Sequence, residues 1–393
     1  MSPKSHGDRG SQLHIVLVLF YLFNTFTNVM SHATDHTAKP LAHAKGRGAR
    51  SNQSGRYERY QREAFDDGWR HGDANVPALK TTLIKESSRS IIATNDSPDL
   101  SITRSINPYR GCEHGCIYCY ARPSHARWGY SAGIDFESML FFKPGASDLL
   151  EKAFLKPGYR AEPIVIGANT DPYQPIERQL RITRGLLETC LKFKHPVSLI
   201  TKSASVLRDI DILSELAQLG LTKVAVSITT LDRKLSRAME PRAPTPARRL
   251  DAVKGLSEAG IPVMAMHAPI IPGLTCHEIE SLVEASANAG ARSAGYILLR
   301  LPLEVSDLFV EWLHDERPGQ AEKVMSLIRQ TRNGKDYDSR FFVRGRGEGP
   351  VADLMSKRFS AAVRRFGLSR EQALLRCDLF ERPLARDDQL SLF

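Results

Sequence analysis

Residues 107–120 read NPYRGCEHGCIYCY. Cys112, Cys116 and Cys119 stand at C-x3-C-x2-C, three of the chain's six cysteines inside eight residues. On a helix, positions i, i+4 and i+7 would share one face, but Gly111 and Gly115 disfavour a helix and let the backbone curl around a bulky object. Three thiolates can hold three irons of a cubane cluster, which leaves the fourth iron without a protein ligand and open to a substrate. An open coordination position separates a catalytic metal site from a closed structural one, a rule stated for zinc that extends here by analogy. The competing reading is a zinc site with His114 or His125 as fourth ligand, in a non-catalytic zinc-binding nucleic-acid-binding protein. Zinc sites commonly pair two distant knuckles, and no second C-x2-C pair exists in this chain. Three ordinary core cysteines are a third reading, opposed by the flanking glycines and the polar Glu113 and His114.

Outward from this stretch, apolar runs alternate with helical patterns. A first strand lies near Ile102–Ile106. Further runs rich in β-branched residues follow at Pro163–Asn169, Val197–Ser203, Lys223–Thr229, Pro262–Ile270 and Ser293–Leu301, of the kind buried on both faces in parallel sheets. Helical patterns lie between them at Gln179–Lys192, Val206–Leu219, Ala247–Ala259 and His277–Ala289, three of them stopped by Gly220, Gly260 and Gly290. The strands recur about every 25–40 residues, the spacing of βα units. No Gly-x-Gly-x-x-Gly follows the first strand, which argues against a dinucleotide-binding fold. Six strands predict an α/β architecture, a partial (β/α)6 TIM-like barrel open on one side. After Leu301 the pattern turns helical, at Val305–His314, Gln320–Arg332, Val351–Phe366 and Glu371–Arg376, interrupted by the loop Val343–Gly349 (VRGRGEG).

The cysteine spacing, with the aromatic Tyr118 before the last cysteine, resembles the radical S-adenosylmethionine (radical SAM) signature. The wider stretch NPYRGCEHGCIYCYARPSH, followed by GANTDPYQPIE, resembles the spore photoproduct lyase-like subgroup, over roughly Lys45 to Glu381. The resemblance implies a 4Fe–4S cluster on Cys112, Cys116 and Cys119, with SAM bound through its methionine amino and carboxylate groups. It also implies reductive cleavage of SAM to a deoxyadenosyl radical, a lyase-like or other radical reaction, and a one-electron reductant of flavodoxin or ferredoxin type.

Ligands in parallel βα architectures sit at the C-terminal ends of strands. Asn169, Thr170 and Asp171 end the second strand and offer donors and acceptors suited to SAM, beside a plain turn and helix-capping role for Asp171-Pro172. Lys202 ends the third strand, where similar enzymes bring a lysine to the SAM carboxylate or ribose; a lysine there is costly to leave unpaired. Ser227 ends the fourth. Arg242 can pair with the SAM carboxylate and Glu240 can orient it, against an ordinary surface ion pair. With Tyr118, these are the candidate SAM contacts. His267, Tyr296 and Arg300, at the ends of the last two strands, are candidate substrate contacts, although alternation along a strand keeps them from all pointing inward. Cys276 and Tyr296 are the candidate catalytic residues, Cys276 as a hydrogen donor or else an ordinary loop cysteine. Cys190 reads as core, and Cys377 has no assigned role.

The chain has 393 residues, 42% hydrophobic and 25% charged, with a net charge of +10. Those values suit a soluble globular protein, and the basic excess favours an anionic partner such as nucleic acid. Arg344 and Arg346 in the glycine-rich loop point the same way, with a metabolite or protein side chain as the other substrate class. The division expected is an irregular N-terminal segment over 1–95, a catalytic core over 96–303 and a helical extension over 304–393. Lys4 and Arg9 before the apolar run Ile15–Phe23, with Ser31-His32-Ala33 after it, give residues 1–29 the look of a signal peptide. A cytoplasmic protein without stable membrane association is expected instead, with Met30 as the start, because an oxygen-sensitive cluster and a SAM supply belong to the cytosol.

Overall fold

The computed structural model describes residues 46–58, 79–99, 102–371 and 374–383. The signal-like stretch at 1–29 lies outside them. Among the described residues there are ten strands: β1 (Thr82–Lys85), β2 (Ala93–Thr94), β3 (Arg104–Ile106), β4 (Tyr109–Arg110), β5 (Met139–Phe142), β6 (Ile164–Ile166), β7 (Val197–Thr201), β8 (Thr222–Ser227), β9 (Val263–Ile270) and β10 (Ser293–Leu298). Seven form one sheet in the order β10-β9-β8-β7-β6-β3-β2. From β3 to β10 all neighbours are parallel, and β2 alone runs antiparallel, on β3. No described strand joins β10 to β2, so the barrel is partial and open, with the six parallel strands the sequence predicts. A second sheet, β1-β5-β4, lies beside the cysteine loop, and β1 and β2 fall in the segment expected to be irregular.

Eleven helices are described: α1 (Asp135–Ser138), α2 (Ala146–Phe154), α3 (Glu177–Leu180), α4 (Ile182–Lys192), α5 (Ile210–Gln218), α6 (Arg233–Met239), α7 (Pro246–Glu258), α8 (Ile279–Asn288), α9 (Glu304–Glu316), α10 (Ala321–Gln330) and α11 (Pro350–Arg365). The helix expected over Gln179–Lys192 is two pieces, because Arg181 takes a left-handed conformation (φ 50°). The Glu177 carboxylate then accepts from the Thr183 N–H and satisfies the start of α4. The helix expected at Glu371–Arg376 does not form over 374–376, which are irregular; 372–373 lie outside the described residues. The segment 374–383 instead packs Phe380 among Phe154, Tyr159, Phe193 and His195.

Strand alternation sorts side chains into two faces. Ile164, Ile166, Val197, Leu199, Val224, Val226, Val263 and Ala265 bury against the helices in the main core. Ser198, Ile200, Ala225, Ser227, Met264 and Met266 therefore face the barrel interior. His267 and Tyr296, register partners on β9 and β10, lie on the helix side, where both meet Phe359 of α11 at 6.0 and 4.7 Å between ring centroids. These two of the three candidate substrate contacts do not point into the barrel. Among the described residues no helix is long and apolar enough to cross a membrane.

Candidate metal and cofactor site

The cysteine loop leaves β4 and folds over the C-terminal end of β3. Gly111 (φ 76°) and Gly115 (φ 68°) both take the left-handed conformation that glycine tolerates. A Cβ on Gly115 would stand 2.7 Å from a Glu137 carboxylate oxygen, and one on Gly48 would stand 1.8 Å from the Gly115 carbonyl oxygen. The loop is thus pressed between α1 and the N-terminal segment with no room for side chains. Backbone bonds set its curl: Cys112 N–H donates to Phe136 O (2.9 Å), Ile117 N–H to Met239 O (3.0 Å) and Cys119 N–H to Cys116 O (3.2 Å).

Beneath the loop lies an ion pair with no solvent exposure on either side chain, Arg122 Nη2 to Glu137 Oε1 at 2.5 Å. The same guanidinium donates to the carbonyls of Cys116 (2.9 Å), Gly115 (3.2 Å), Gly133 (2.9 Å) and Ala132 (3.1 Å). Glu137 accepts from the Gly48 and Ala49 N–H groups, both at 2.9 Å. Gln174, fully buried, brackets the loop with both ends of its amide, accepting from Glu113 N–H (2.9 Å) and donating to Gly111 O (3.3 Å). Sequence reading missed Arg122, Glu137 and Gln174 as a group. Gln174 lay inside the quoted GANTDPYQPIE, but nothing local marks a glutamine or glutamate as the partner of a loop some tens of residues away.

The structure gathers most of the candidate side chains here. Cys112 and Cys116 are buried and Cys119 partly so. Burial pushes both buried thiols above their ordinary range, helped for Cys112 by Asp171 and the other two cysteines; for Cys116 the Lys202 ammonium works the other way. Thiolates in such a place require a metal's positive charge. Lys202 shares the interior face with Ser198 and Ile200, and its ammonium stands 5.9 Å from the centre of the Tyr118 ring. The Tyr118 hydroxyl donates to Glu240, which also accepts from Thr229 Oγ1 (3.2 Å) and pairs with buried Arg249. Ser227, buried, faces inward on β8, while Asn169 is exposed and Thr170 is spent on the Tyr109 carbonyl (2.7 Å). Tyr120, just past the last cysteine, donates to the Ala168 carbonyl and lies under Arg300 at 5.2 Å.

Asp171 is committed internally. It accepts from Thr201 Oγ1 (2.7 Å), Lys202 N–H (2.7 Å) and Tyr173 N–H (2.9 Å), and lies 3.3 Å from His114 Nδ1. Burial alone would raise its carboxyl, but His114 and these donors hold it at about 2. Arg242 does not pair with Glu240; it is half-exposed and reaches Glu113 at 3.0 Å. Cys276 lies in the turn before α8, accepts from Gly273 N–H (3.2 Å) and packs toward the helix-side core. Arg344 is bound by Asp99. Of the two histidines of the zinc reading, His114 turns its Nδ1 toward Asp171, and His125 lies 3.0 Å through Nε2 from Met139 O and is pushed by burial down to about 4. Among the described residues no three His, Cys, Asp or Glu side chains converge closely enough to hold one ion, as a closed tetrahedral site would need with bonds of about 2.3 Å. Three cysteines on one curled loop, two buried and one partly buried, supply the all-thiolate donor set by which iron–sulfur clusters are held.

Comparison with known proteins follows the same line. A family model described as Radical SAM superfamily matches residues 106–285. An uncharacterized protein of Mycobacterium tuberculosis is 32% identical over 228 residues, 58% of this chain and 67% of that one. Another, of Methanocaldococcus jannaschii, is 33% identical over 174 residues, 43% and 61% of the two chains. Among solved structures, a double mutant of spore photoproduct lyase with bound AdoMet and dinucleoside spore photoproduct aligns at a TM-score of 0.54 with 15% identity, covering 77% of this chain and 86% of that one. Spore photoproduct lyase complexed with dinucleoside spore photoproduct aligns at 0.51 with 14% identity, covering 73% and 80%.

Proposed function

This chain belongs to the radical SAM superfamily, whose members use a 4Fe–4S cluster and S-adenosylmethionine, and from that premise we propose that it carries out a radical reaction on nucleic acid. It is an enzyme of that superfamily. When bound, the cluster would supply one electron to the SAM sulfonium, breaking its S–C5′ bond to release methionine and the deoxyadenosyl radical with which such enzymes take hydrogen from a substrate.

The chain's own residues divide the work. Cys112, Cys116 and Cys119 would hold the cluster through their three thiolates. Lys202 offsets thiolate charge and receives the methionine carboxylate. Tyr118, fixed by Glu240, forms a rigid wall, and Ser227 and Asn169 offer a hydroxyl and an amide to the rest of the ligand. Asp171 aligns the His114 ring and the Lys202 main chain and makes no ligand contact of its own.

The observation that carries the cofactor assignment is the trio of thiols, two buried and one partly buried, on a curled loop that follows the first parallel strand, with Lys202 beside it. The nucleic-acid half rests on the net charge of +10 and on the shared fold with spore photoproduct lyase, solved with a dinucleoside lesion. Anaerobic reconstitution with iron and sulfide, followed by reduction with SAM, tests the first half. About four irons per chain and release of deoxyadenosine are expected, and Cys116→Ala should abolish both. Deoxyadenosine formation that survives Cys116→Ala would refute it. For the second half, single-stranded DNA should bind with an affinity that falls steeply with salt.

A further inference from the structure

The open side of the barrel is spanned by side chains. The outer edge of β10 is bridged at its start by Ser369 and met at its end by the segment 340–349, where Gly345 O accepts from Leu298 N–H at 2.9 Å. Arg332, with no solvent exposure, ties this segment down: it donates to Leu299 O (2.8 Å), Val343 O (2.8 Å) and Arg344 O (3.1 Å). Arg344 crosses to the residues after β2, at the other edge of the sheet. Its Nε donates to Asp99 Oδ2 at 2.7 Å, and its Nη2 donates to Asp99 Oδ1 at 2.5 Å and to the Ser97 hydroxyl. The Arg344 guanidinium holds the Asp99 carboxyl well below the usual range. A bidentate pair with side chains 18% and 11% exposed is a fixed clasp rather than a mobile surface contact.

What the clasp presents is unusual. Phe341 and Phe342 are adjacent in sequence and stand 50% and 60% exposed. Phe342 takes φ 64°, a left-handed conformation that a bulky residue keeps only when its surroundings over-determine it. Here its N–H is held by Asp99 Oδ2 at 3.4 Å. The Arg344 guanidinium, 4.7 Å from the Phe341 ring centre, covers part of that ring and leaves the remainder to solvent. Arg346, two residues on, is exposed and makes no ion pair among the described residues. Tyr120 and Arg300 repeat the aromatic–arginine pairing where the cysteine loop meets the end of β10.

We propose that Phe341 and Phe342 form a stacking platform for an unpaired nucleobase on the open flank of the barrel, with Arg346 facing the adjoining phosphate. Exposed rings on a rigid support beside an unneutralised guanidinium match the two faces of a single-stranded nucleotide, a flat base and an anionic backbone. The inference rests on the nucleic-acid reading above, and the test keeps the two apart.

Binding of the full chain to a thymine single strand is compared with an abasic strand of the same length, across a salt series. The native chain should prefer the base-bearing strand roughly tenfold or more. The double change Phe341→Leu with Phe342→Leu, which keeps apolar bulk but removes the ring faces, should erase that preference. Its salt slope and thermal melting should stay unchanged; Phe→Tyr at both positions should restore the preference. Equal affinity of the native chain for both strands, or a preference that persists in the leucine variant, would overturn the platform and leave the nucleic-acid reading standing. No salt-dependent binding of either strand would overturn both.

Discussion

At the scale of single residues, Lys202 is the most informative. It stands on the interior face at the end of β7, beside Cys116 and over the Tyr118 ring, and no carboxylate lies within ion-pair distance of its ammonium among the described residues. A cation in this position is stabilised by thiolate charge and by whatever anionic ligand arrives. Lys202→Met should therefore leave iron loading near native while weakening SAM binding by roughly tenfold to a hundredfold, the worth of a charged hydrogen bond. Equilibrium binding of SAM to the reconstituted protein measures this, and native affinity in the variant would remove Lys202 from the SAM site. Asp171 makes the contrast. Its sequence context offered it equally as a ligand or as a turn residue, and the fold has used both oxygens on internal donors. Asp171→Asn should show as lower thermal stability first and as weaker SAM binding only through Lys202.

At the scale of elements, the cysteine loop depends on pieces that are distant in sequence. Glu137 on α1 collects Arg122 from the segment after the loop and the Gly48 and Ala49 N–H groups from the N-terminal segment. Breaking a buried pair leaves the partner charge stranded, which costs more than the pair contributes when intact. Glu137→Ala should lower stability by about 3–5 kcal/mol, read as a denaturant midpoint shift at constant slope, and should reduce the iron retained after reconstitution. The six parallel strands were legible because β-branched runs and glycine stops repeat along the chain, and the trio of cysteines because its spacing is local. The network under the loop was not, since its pairings span long separations and buried glutamates carry no periodic signal. α6 was legible and overlooked: Asp232 caps it, accepting from the Lys234 and Leu235 N–H groups. The helix-side orientation of His267 and Tyr296 was settled by strand parity, fixed only once the edges of β9 and β10 were known.

For the molecule as a whole, stability should depend on acidity through histidines sealed away from the site. His195 has no solvent exposure and lies stacked on Phe154 at 4.2 Å, under Phe380 from the C-terminal segment. Its Nε2 meets the Tyr159 hydroxyl at 2.8 Å and its Nδ1 meets Pro196 O at 2.9 Å. Burial pushes it down to about 4, against the pull of the Pro196 carbonyl and with help from Arg104. His267, held between Ile228 O and Phe359, is likewise at about 4 because of burial. The unfolded chain, with histidines near 6.5, binds more protons than the folded one between these values, so stability rises with pH across that window. The contribution is complete above about pH 6.5 and is lost as pH falls toward 4, by about 3 kcal/mol for each histidine. Urea midpoints measured from pH 7 to pH 4 should fall accordingly. Replacing the ring by one that cannot take a proton, His195→Phe, should flatten the profile by one histidine's share, even though the loss of the Tyr159 bond lowers stability at pH 7. A profile as steep as the native one in that variant would mean that the aromatic cluster under the barrel opens to water and that the C-terminal segment does not seal it.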